Sequence, residues 1–389
     1  MTLLVVGASA AGLGTVEALR RKGYSERITV LGAEPHLPYD RPPLSKQVLS
    51  GQWEPSRTQL RTAERLSTLD AEFLLGDPAV SLDVRERTVH TESGRALTAD
   101  GIVIATGLRP RAFPGQDGLD GVHVLRTLDD ALALRADLLS CSQTVVVGDG
   151  VLGTEIAASA AGMGVRVTLA GPQPAPLADR FGPVVSDLLA DLHTSHGVTL
   201  RLGAAVAGLD SRDGRVIGVR LETGEVLPAD VVVVAFGAAP ATEWLEGSGL
   251  ALANGVVCDS RCRAAEGVHA VGDVARWHHE TLDVALRLEN RTNATEQAGH
   301  VAGVILGDDR PYTPVPYFWT DQFDAKIHVH GTLFADAEVS IVEGSLAERR
   351  FVAQYRRNGV VTGVLGWNMP KQARLRRPEL VGVLVGGKP

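Results

Sequence analysis

The stretch LLVVGASAAGLG (Leu3–Gly14) gives the first indication of the fold. Its apolar start, Leu3–Val6, predicts a short buried strand, and the glycines of residues 7–12 predict a turn. Leu13–Arg21 has a helical pattern, and a second apolar run, Ile28–Leu31, follows it. Strand, glycine turn, helix and strand in this order are typical of the βαβ unit that binds a dinucleotide.

An acidic residue completes this first unit. Glu34 stands 22 residues after Gly12, where such units carry the carboxylate that binds a ribose. Small residues in the turn let the backbone approach a pyrophosphate, and the helix N-terminus supplies donors. The motif departs from the usual pattern because Ser9 replaces its middle glycine. A glycine turn that only connects strand to helix is the alternative interpretation.

A second glycine loop, VVVGDGVLGTE (Val145–Glu155), begins about 140 residues later in the chain. Its glycines follow the apolar run Thr144–Val147 and precede the helical pattern Thr154–Gly162. The next apolar run is Val165–Ala170, but no acid occurs from Leu169 to Pro176. Two loops predict two dinucleotides, and the missing acid leaves the identity of the second one open.

Composition limits the class of protein. A length of 389 residues predicts two or three domains, and 44% apolar with 22% charged residues is ordinary for a soluble protein. The longest apolar stretches are too short to cross a bilayer. The three cysteines are too few and too scattered for a disulfide framework, so we expect a cytoplasmic protein.

Charge is distributed unevenly along the chain. Residues 345–389 contain nine Lys and Arg against two acidic residues, although the whole chain has a net charge of −8. A basic end on an acidic body indicates a docking surface for a negative partner. The alternative is a solvated basic hairpin that only offsets the acidic body. The basic run Lys371–Arg377 lacks interleaved aromatic residues, which argues against nucleic acid binding.

Three later stretches extend the pattern. Ala99–Arg111 and Ala229–Glu243 each contain an apolar strand, a glycine turn and a proline, and each would close one nucleotide domain. Gly267–Arg276 places Asp273 after a strand and a glycine. There a carboxylate can accept hydrogen bonds from a polyol chain while a helix N-terminus faces phosphate, although a simple helix cap is the alternative.

The end of the chain predicts a small β-rich domain. Four apolar stretches, KIHVHG, EVSIVEG, RFVAQYRR and VVTGVLGW, are typical of strands. Asn358-Gly359 stands between the last two, and this dipeptide favours a two-residue hairpin turn.

The order of these motifs resembles the two-dinucleotide flavoproteins of the pyridine nucleotide-disulfide oxidoreductase-like superfamily. Within it, the chain resembles the putidaredoxin reductase-like ferredoxin reductases, which serve haem monooxygenases and Rieske oxygenases. The resemblance runs nearly end to end, and four stretches carry it: PYDRPPLSK (Pro38–Lys46), VLRTLDDALALR (Val124–Arg135), RLENRTNATEQA (Arg287–Ala298) and YFWTDQFD (Tyr317–Asp324).

The resemblance implies an α/β fold with two Rossmann-like domains, the second inserted into the first, and a small C-terminal α+β domain with a β-meander. The implied boundaries are 1–110 and 237–316 for the two parts of the FAD domain, 111–236 for the NAD(P)H domain and 317–389 for the C-terminal domain.

The resemblance also implies roles for individual residues. FAD would contact Gly7, Ala11, Gly12 and Glu34 through its ADP moiety, Val80 at the adenine, Arg126 at the pyrophosphate, Asp273 at the ribityl chain and Lys46 at the flavin N5 edge. NAD(P)H would contact Gly148, Gly150 and Gly153 at its pyrophosphate and Glu155 near the nicotinamide. Further implied cofactor contacts are Arg41, Thr106, Gly107, Gly237, Gly272, Arg291 and Trp319. Lys46 and Glu155 are the implied catalytic residues, although a surface lysine and a first-turn helix acid are the simpler interpretations.

Two positions depart from the family pattern. Arg291 stands where members often carry Trp, which puts the shape of the flavin pocket in question. Gly171 stands where NADH-using members carry the acid that binds the adenosine ribose. On family grounds we still expect NADH to be preferred over NADPH, by a small margin.

Absent motifs restrict the reaction. The chain has neither of the C-x-x-C and C-x-x-x-x-C pairs of disulfide reductases, and its first cysteine is Cys141. It also lacks metal-ligand spacing. We therefore expect an FAD-dependent NAD(P)H:ferredoxin oxidoreductase whose partner is an acidic [2Fe–2S] ferredoxin docking near the basic segment 345–389. A rubredoxin reductase and an NADH-sensing flavoprotein without a dedicated acceptor are the alternatives.

Overall fold

The computed structural model describes residues 1–380 and divides the chain into two compact units. The first unit contains Met1–Asp40, Thr58–Arg109 and Ala239–Pro316, and the second contains Arg41–Arg57, Pro110–Ala238 and the chain from Tyr317 onward. Arg41–Arg57 therefore belongs to the second unit, although it lies inside the predicted range 1–110. Residues 381–389, with Lys388 of the basic segment, lie outside the described residues. The nucleotide roles of the two predicted Rossmann-like domains stay a prediction.

A six-stranded sheet forms the centre of the first unit. Its strands lie in the order Arg263–Ala265, Val268–Ala270, Gly101–Ile104, Leu3–Val6, Ile28–Gly32 and Ala71–Leu75. All neighbours are parallel except the first pair. Leu3–Val6 is buried at every residue because a parallel sheet is covered on both faces, and this explains its unbroken apolar sequence.

Helices and small sheets complete the first unit. Its helices are Ala10–Arg21, Ala63–Ser67 and Arg291–Ile305, with 3-10 turns at Glu243–Leu245 and Gly272–Val274. It also contains two three-stranded sheets. One consists of Ala79–Asp83, Thr88–Thr91 and Ala96–Thr98, and the other of Val256–Cys258, Ala275–His279 and Val284–Leu286. The chain passes from one unit to the other within three short elements. These are the strands Leu108–Pro110 and Ala238–Pro240 and the 3-10 turn Pro55–Thr58.

A five-stranded parallel sheet organises the middle of the second unit. Its order is Thr199–Leu202, Arg166–Gly171, Gln143–Val147, Val231–Val234 and Val122–His123. The helices of this region are Leu128–Ser140, Val151–Gly162 and Ala178–Ser195. Leu128–Ser140 starts with a capping box, in which Thr127 and Asp130 satisfy each other's backbone amides. Between the strands Thr199–Leu202 and Val231–Val234, the chain forms a separate antiparallel sheet. Its strands are Val206–Arg212, Arg215–Leu221 and Val226–Pro228.

The C-terminal part of the second unit is a five-stranded antiparallel sheet. Its order is Tyr317–Gln322, Ala325–Gly331, Val360–Trp367, Arg350–Arg357 and Glu338–Ser345. The four predicted strands are confirmed, and Tyr317–Gln322 is a fifth strand that was not predicted. Asn358 and Gly359 both have positive φ, as a tight hairpin turn requires. The short helix Pro370–Leu375 follows the sheet.

One helix joins the two parts of the second unit. Phe181 and Leu189, on Ala178–Ser195, pack into a buried cluster with Phe351 and Trp367 of the C-terminal sheet. The Tyr355 hydroxyl donates to the Phe181 carbonyl oxygen at 2.7 Å. The helix is interrupted at Gly182 (φ 70°, ψ 174°), and Pro183 follows. A proline lacks the amide that would continue the helical hydrogen bonds, so the break is expected there.

Within residues 1–380, no helix has the length and apolar character that crossing a membrane requires.

Candidate functional site

The first glycine loop lies between the strand Leu3–Val6 and the helix Ala10–Arg21. A Cβ atom on Gly12 would lie 1.8 Å from the Gly7 carbonyl oxygen, so only glycine allows this approach. The helix begins at Ala10, three residues before the predicted start at Leu13, because Gly12 packs against the loop from inside the first turn. Helix amides therefore point into the loop, which is the arrangement that binds a pyrophosphate.

Glu34 lies just past the end of the neighbouring strand, Ile28–Gly32. The Tyr39 hydroxyl donates to its carboxylate, and the Gly76 amide donates to its carbonyl oxygen at 3.0 Å. Strand Leu3–Val6 and strand Ile28–Gly32 are paired in parallel, so their carboxyl ends lie side by side. The carboxylate and the glycine loop are therefore placed as a dinucleotide site requires.

Asp273 lies in the 3-10 turn Gly272–Val274, and the strand Ala275–His279 follows directly. No α-helix begins at Asp273, so the helix-cap alternative for this residue is wrong, whereas its contact with a polyol chain stays a prediction. The apolar alternation of Ala275–His279 favours strand pairing instead. The helix N-terminus near Asp273 is that of Ala10–Arg21, since a Cβ on Gly272 would lie 3.0 Å from the Cβ of Ala11 in the first turn of that helix. This packing places the turn beside the first glycine loop.

Other predicted flavin contacts of the first unit have varied environments. Arg291 begins the helix Arg291–Ile305 and donates from Nε to Asp40 Oδ1 at 2.6 Å. The Thr106 hydroxyl donates to the Ala241 carbonyl oxygen at 2.8 Å, and Gly107 has a φ of 70°. Val80 lies on Ala79–Asp83 with 49% of its surface exposed. Their contacts with a cofactor stay predictions.

The second glycine loop repeats the geometry of the first in the second unit. The helix Val151–Gly162 again begins three residues before its predicted start. A Cβ on Gly153 would lie 1.8 Å from the Gly148 carbonyl oxygen, whereas one on Gly150 would meet no atom within 4 Å. The open space at Gly150 is where the backbone of such loops approaches a phosphate.

Lys46 and Glu155 form a buried ion pair in the second unit. Lys46 Nζ lies 2.7 Å from Glu155 Oε2, and the two side chains are 12% and 7% exposed. Ser45 Oγ donates to the same oxygen at 2.6 Å, and Thr320 Oγ1 donates to Oε1 at 2.8 Å. Glu155 is thus an interior acceptor for three donors rather than an exposed first-turn acid, and Lys46 is not an ordinary surface lysine.

Three separate parts of the chain build this cluster. Lys46 lies on the single π-helical turn Leu44–Val48, which the Ser159 hydroxyl anchors by donating to the Ser45 carbonyl oxygen at 2.6 Å. Sequence reasoning missed Ser45 and Thr320, although both lie inside quoted family stretches. Their signal was weak because a hydroxyl side chain carries no distinctive spacing.

The hydrogen bonds continue from Thr320 into the interior. Gln322 Nε2 donates to Thr320 Oγ1 at 3.1 Å, and its Oε1 lies 2.8 Å from His193 Nε2. Burial lowers the pKa of His193, so the neutral ring is favoured. The ring therefore donates from Nε2 to the amide oxygen. The C-terminal sheet is in this way linked to the carboxylate of Glu155.

The remaining predicted contacts also lie in the second unit. Arg41 Nη1 donates to the Arg126 carbonyl oxygen at 2.5 Å. Trp319 stacks with Tyr317, with ring centroids 5.9 Å apart, on the strand Tyr317–Gln322. Gly237 has a φ of 111°, and its carbonyl oxygen accepts from the Arg111 amide. Cofactor contacts at these positions stay predictions.

The three cysteines are free and ill suited to thiol chemistry. Burial raises the pKa of Cys258 to about 12 and raises that of Cys262 well above its usual value. The pKa of Cys141 is raised as well, chiefly by burial. Because the thiolate is the reactive form, none of the three is prepared to exchange disulfides.

The residues present fit two bound dinucleotides. Each cradle combines a glycine that no other residue can replace, a helix N-terminus and the carboxyl ends of parallel strands. These features bind phosphate by backbone amides, and in the first cradle Glu34 is the adjacent carboxylate that can bind a ribose.

Comparisons with known proteins agree with this geometry. Residues 1–298 match the family model described as pyridine nucleotide-disulphide oxidoreductase, and residues 317–380 match the model described as reductase C-terminal. Rhodocoxin reductase from Rhodococcus erythropolis is 36% identical over 89% of this chain and 81% of its own. A rubredoxin-NAD(+) reductase from Pseudomonas putida is 32% identical over 96% of this chain and 97% of its own.

A solved structure gives the same result. The ferredoxin reductase for the CYP199A2 system from Rhodopseudomonas palustris superposes with a TM-score of 0.91 and 34% identity, covering 94% of this chain and 91% of that one. On these matches, the chain belongs to the pyridine nucleotide-disulphide oxidoreductase family, among the ferredoxin, putidaredoxin and rubredoxin reductases.

Proposed function

We propose that the chain is an FAD-dependent reductase that passes electrons from NAD(P)H to a [2Fe–2S] ferredoxin serving an oxygenase. The observation that carries this proposal is the presence of two dinucleotide cradles in a chain whose three cysteines are free and have raised pKa values. A dithiol relay is therefore missing, and the reducing equivalents must leave for an external acceptor. This chain matches both family models, and the relatives it resembles include a ferredoxin--NAD(P)(+) reductase and the ferredoxin reductase component of a chlorobenzene dioxygenase.

The residues divide the work between the two cradles. The loop Gly7–Gly12 and Glu34 would hold the ADP part of FAD, with Asp273 at its ribityl chain. The glycines 148, 150 and 153 would hold the nicotinamide nucleotide. Bound FAD supplies the conversion between two-electron transfer from the nicotinamide and single-electron transfer to a ferredoxin.

Lys46 and Glu155 would act on the flavin by their charges. Glu155 holds the Lys46 ammonium with a bond of 2.7 Å, while Ser45 and Thr320 hold the carboxylate itself. The lysine is therefore a fixed positive charge rather than a mobile one. A fixed ammonium would stabilise the reduced, more negative flavin, and it would not have to move during the reaction.

A direct assay tests the proposed function. We expect the purified protein to be yellow and to release FAD, and to reduce cytochrome c with NADH only when a [2Fe–2S] ferredoxin is added. Protein that cannot be reconstituted with FAD would contradict the whole proposal. Ready reduction by NADH without transfer to any acceptor protein would favour an NADH-sensing module.

Rubredoxin reduction is the second candidate function. The similarity to a rubredoxin-NAD(+) reductase covers more of the chain than the similarity to rhodocoxin reductase (96% against 89%), at a slightly lower identity (32% against 36%). Parallel assays with ferredoxins and rubredoxins at equal concentrations separate the two, since we expect turnover with a ferredoxin to exceed turnover with any rubredoxin.

We also propose a docking surface, which we call the basic C-terminal surface and define by Lys371, Arg374 and Arg377. All three are exposed, and Leu375 between them is 66% exposed. Other basic residues of the segment are partly neutralised, because Arg357 pairs with Asp336 and Arg376 with Glu379 and Glu343. Three positive side chains around the exposed Leu375 are suited to a transient complex with an acidic ferredoxin.

We propose that the chain works in the cytoplasm. All of its cysteines are free, which suits a reducing compartment.

A further inference from the structure

The second cradle contains a carboxylate that its strand pattern does not predict. The strand Arg166–Gly171 ends in glycine, where an acid that binds the adenosine ribose would usually stand. A Cβ placed on Gly171 would lie 2.3 Å from Asp149 Oδ2 and 2.5 Å from Asp149 Cγ. The carboxyl group of Asp149 therefore occupies the space into which a side chain at residue 171 would extend.

Hydrogen bonds hold Asp149 in this position. The Gln173 amide donates to Asp149 Oδ2 and the Gln173 side chain donates to Oδ1, each at 2.8 Å. Gln173 is itself held by the Asp179 amide, which donates to its side-chain oxygen at 2.7 Å. Asp149 is only 5% exposed. A carboxylate has about four acceptor positions, so these two donors leave acceptors for a ligand hydroxyl.

The topology places this carboxylate at the ligand-binding edge of the sheet. Gln143–Val147, which precedes the glycine loop, is paired in parallel with Arg166–Gly171, and Val147 is in register with Ala170. The loop and residue 171 therefore lie at neighbouring carboxyl ends. In such folds the adenosine ribose lies at the end of the second strand, next to the helix that holds the pyrophosphate.

Cations that would attract a 2′-phosphate are engaged elsewhere. Arg166 is at the opposite end of its strand, where Nε donates to the Ser142 carbonyl oxygen at 3.4 Å. Arg180 lies over the ring of Phe318, 5.9 Å from its centroid. Arg201, on the next strand, pairs with Glu225 at 2.9 Å. The atoms nearest to a Cβ on residue 171 all belong to Asp149, so its carboxylate is the charged group closest to this strand end.

We propose that Asp149 replaces the strand-end acid and selects NADH against NADPH. Its carboxylate would accept from the ribose 2′-hydroxyl and repel a 2′-phosphate. The two solutions exclude each other, because a side chain at residue 171 and the present position of Asp149 require the same space. This inference rests on the proposed function of the second cradle, and it predicts a larger preference for NADH than the absence of an acid at Gly171 suggests.

The test compares coenzyme binding in variants. Calorimetry with NAD⁺ and NADP⁺ measures binding without turnover, and kcat/KM for NADH and NADPH is measured with ferricyanide. We expect the wild-type protein to favour the NADH series by more than about tenfold, and Asp149→Asn to reduce this preference by at least about tenfold, chiefly through tighter NADP⁺ binding. Asp187→Asn removes an exposed acid farther along the helix Ala178–Ser195 and should leave the preference unchanged.

A double variant tests the exclusion. Asp149→Gly with Gly171→Asp exchanges the two residues and should restore the preference for NADH, whereas Gly171→Asp alone should damage the loop. An unchanged coenzyme ratio in Asp149→Asn with a native FAD spectrum would overturn the inference, as would a wild-type protein that binds NAD⁺ and NADP⁺ equally. Wild-type protein that binds neither nucleotide would instead contradict the proposed function.

Discussion

Glu155 shows how much a single residue depends on its surroundings. Its carboxylate accepts from Lys46, Ser45 and Thr320, and its side chain is 7% exposed. A buried pair of this kind has a large desolvation cost, which is offset only when both charges are well hydrogen-bonded. The positive charge of Lys46 therefore does not act alone, and the two residues must be tested together.

At the residue scale we predict opposite effects on the flavin midpoint potential. Lys46→Met leaves a buried carboxylate without its counter-charge and should lower the potential, whereas Glu155→Gln leaves an uncompensated ammonium and should raise it. Each shift should reach about 30 mV, equivalent to about 1.4 kcal/mol for a two-electron couple. Potentials are measured by dye-coupled spectrophotometric titration.

The double variant Lys46→Met, Glu155→Gln serves as the control and should lie close to the wild-type potential. Unchanged potentials in both single variants, each with a native spectrum and melting temperature, would show that the pair is only structural.

At the scale of elements, the strand Tyr317–Gln322 links the C-terminal sheet to the ion pair. Thr320 on this strand donates to Glu155 and accepts from Gln322, and it is fully buried. Thr362 on a second strand of the same sheet offers a contrast. Its buried Oγ1 has no hydrogen-bond partner among residues 1–380.

We predict that Thr320→Val destabilises the protein by about 1–3 kcal/mol, because a buried carboxylate and a buried amide each lose a partner. Thr362→Val is the matched control and should be neutral or slightly stabilising, since no hydrogen bond to another described residue is lost. Urea unfolding of both variants measures the difference. Equal effects in the two variants would contradict the proposed link.

The glycine loops allow a second prediction at this scale. Gly153→Ala would bring Cβ to within 1.8 Å of the Gly148 carbonyl oxygen, so it should distort the loop and abolish NAD⁺ binding. Gly150→Ala meets no protein atom within 4 Å and should fold normally. Binding by calorimetry and melting temperatures separate the two effects.

Gly150→Ala should still weaken NAD⁺ binding, by about tenfold, because the ligand pyrophosphate needs the space that the methyl group fills. Full retention of affinity would mean that the ligand does not approach this part of the loop.

For the whole molecule, charge governs both the choice of partner and the response to pH. The basic C-terminal surface stands out in a chain with a net charge of −8. We predict that Arg374→Glu with Arg377→Glu slows ferredoxin-dependent cytochrome c reduction at least about fivefold at low salt and flattens its dependence on salt, because steering between exposed charges is screened. Ferricyanide reduction should change little.

Arg85→Glu with Arg212→Glu makes the same change in net charge at exposed positions elsewhere and should leave ferredoxin turnover unaffected. Equal losses in both assays would indicate damage to the fold or flavin site, and equal losses in the two charge variants would assign the effect to net charge alone.

Acidification should destabilise the protein through its histidines. Burial lowers the pKa of six of them: His193, His269, His279, His300, His328 and His330. For His269 and His330 the pKa falls to about 4. Below the usual histidine pKa of about 6.5 the unfolded chain therefore binds more protons than the folded chain. The free energy of unfolding consequently decreases as the pH decreases.

We predict that the urea midpoint is highest above about pH 6.5 and decreases between about pH 6.5 and pH 4. His269→Asn with His330→Asn should reduce this decrease, whereas His90→Asn, at an exposed site, should not. A midpoint that stays constant from pH 7 to pH 5 would contradict the prediction.

Much of the architecture could be predicted from the sequence, because the relevant signals are local. The glycine spacing after Leu3–Val6 and Thr144–Val147 specifies strand, turn and helix within a few residues, and Asn358-Gly359 specifies a hairpin for the same reason. Each helix begins three residues before the start that its apolar pattern predicts, since the last glycine of each loop packs from within the helix. The four strands of the C-terminal domain followed from their apolar runs.

The arrangement of the candidate site was decided by the tertiary structure. Glu155 meets Lys46 across 109 residues of chain and Thr320 across 165, and no local pattern encodes such a meeting. The sequence pattern expects an acid at residue 171 and therefore does not predict Asp149. The Asp149 carboxylate reaches the same space from the end of the neighbouring strand. Local sequence specifies which backbone segments form the cradles, since glycine and helix preferences act over one turn. Only the packing of distant segments decided which charges surround them, because side-chain positions depend on every neighbour at once.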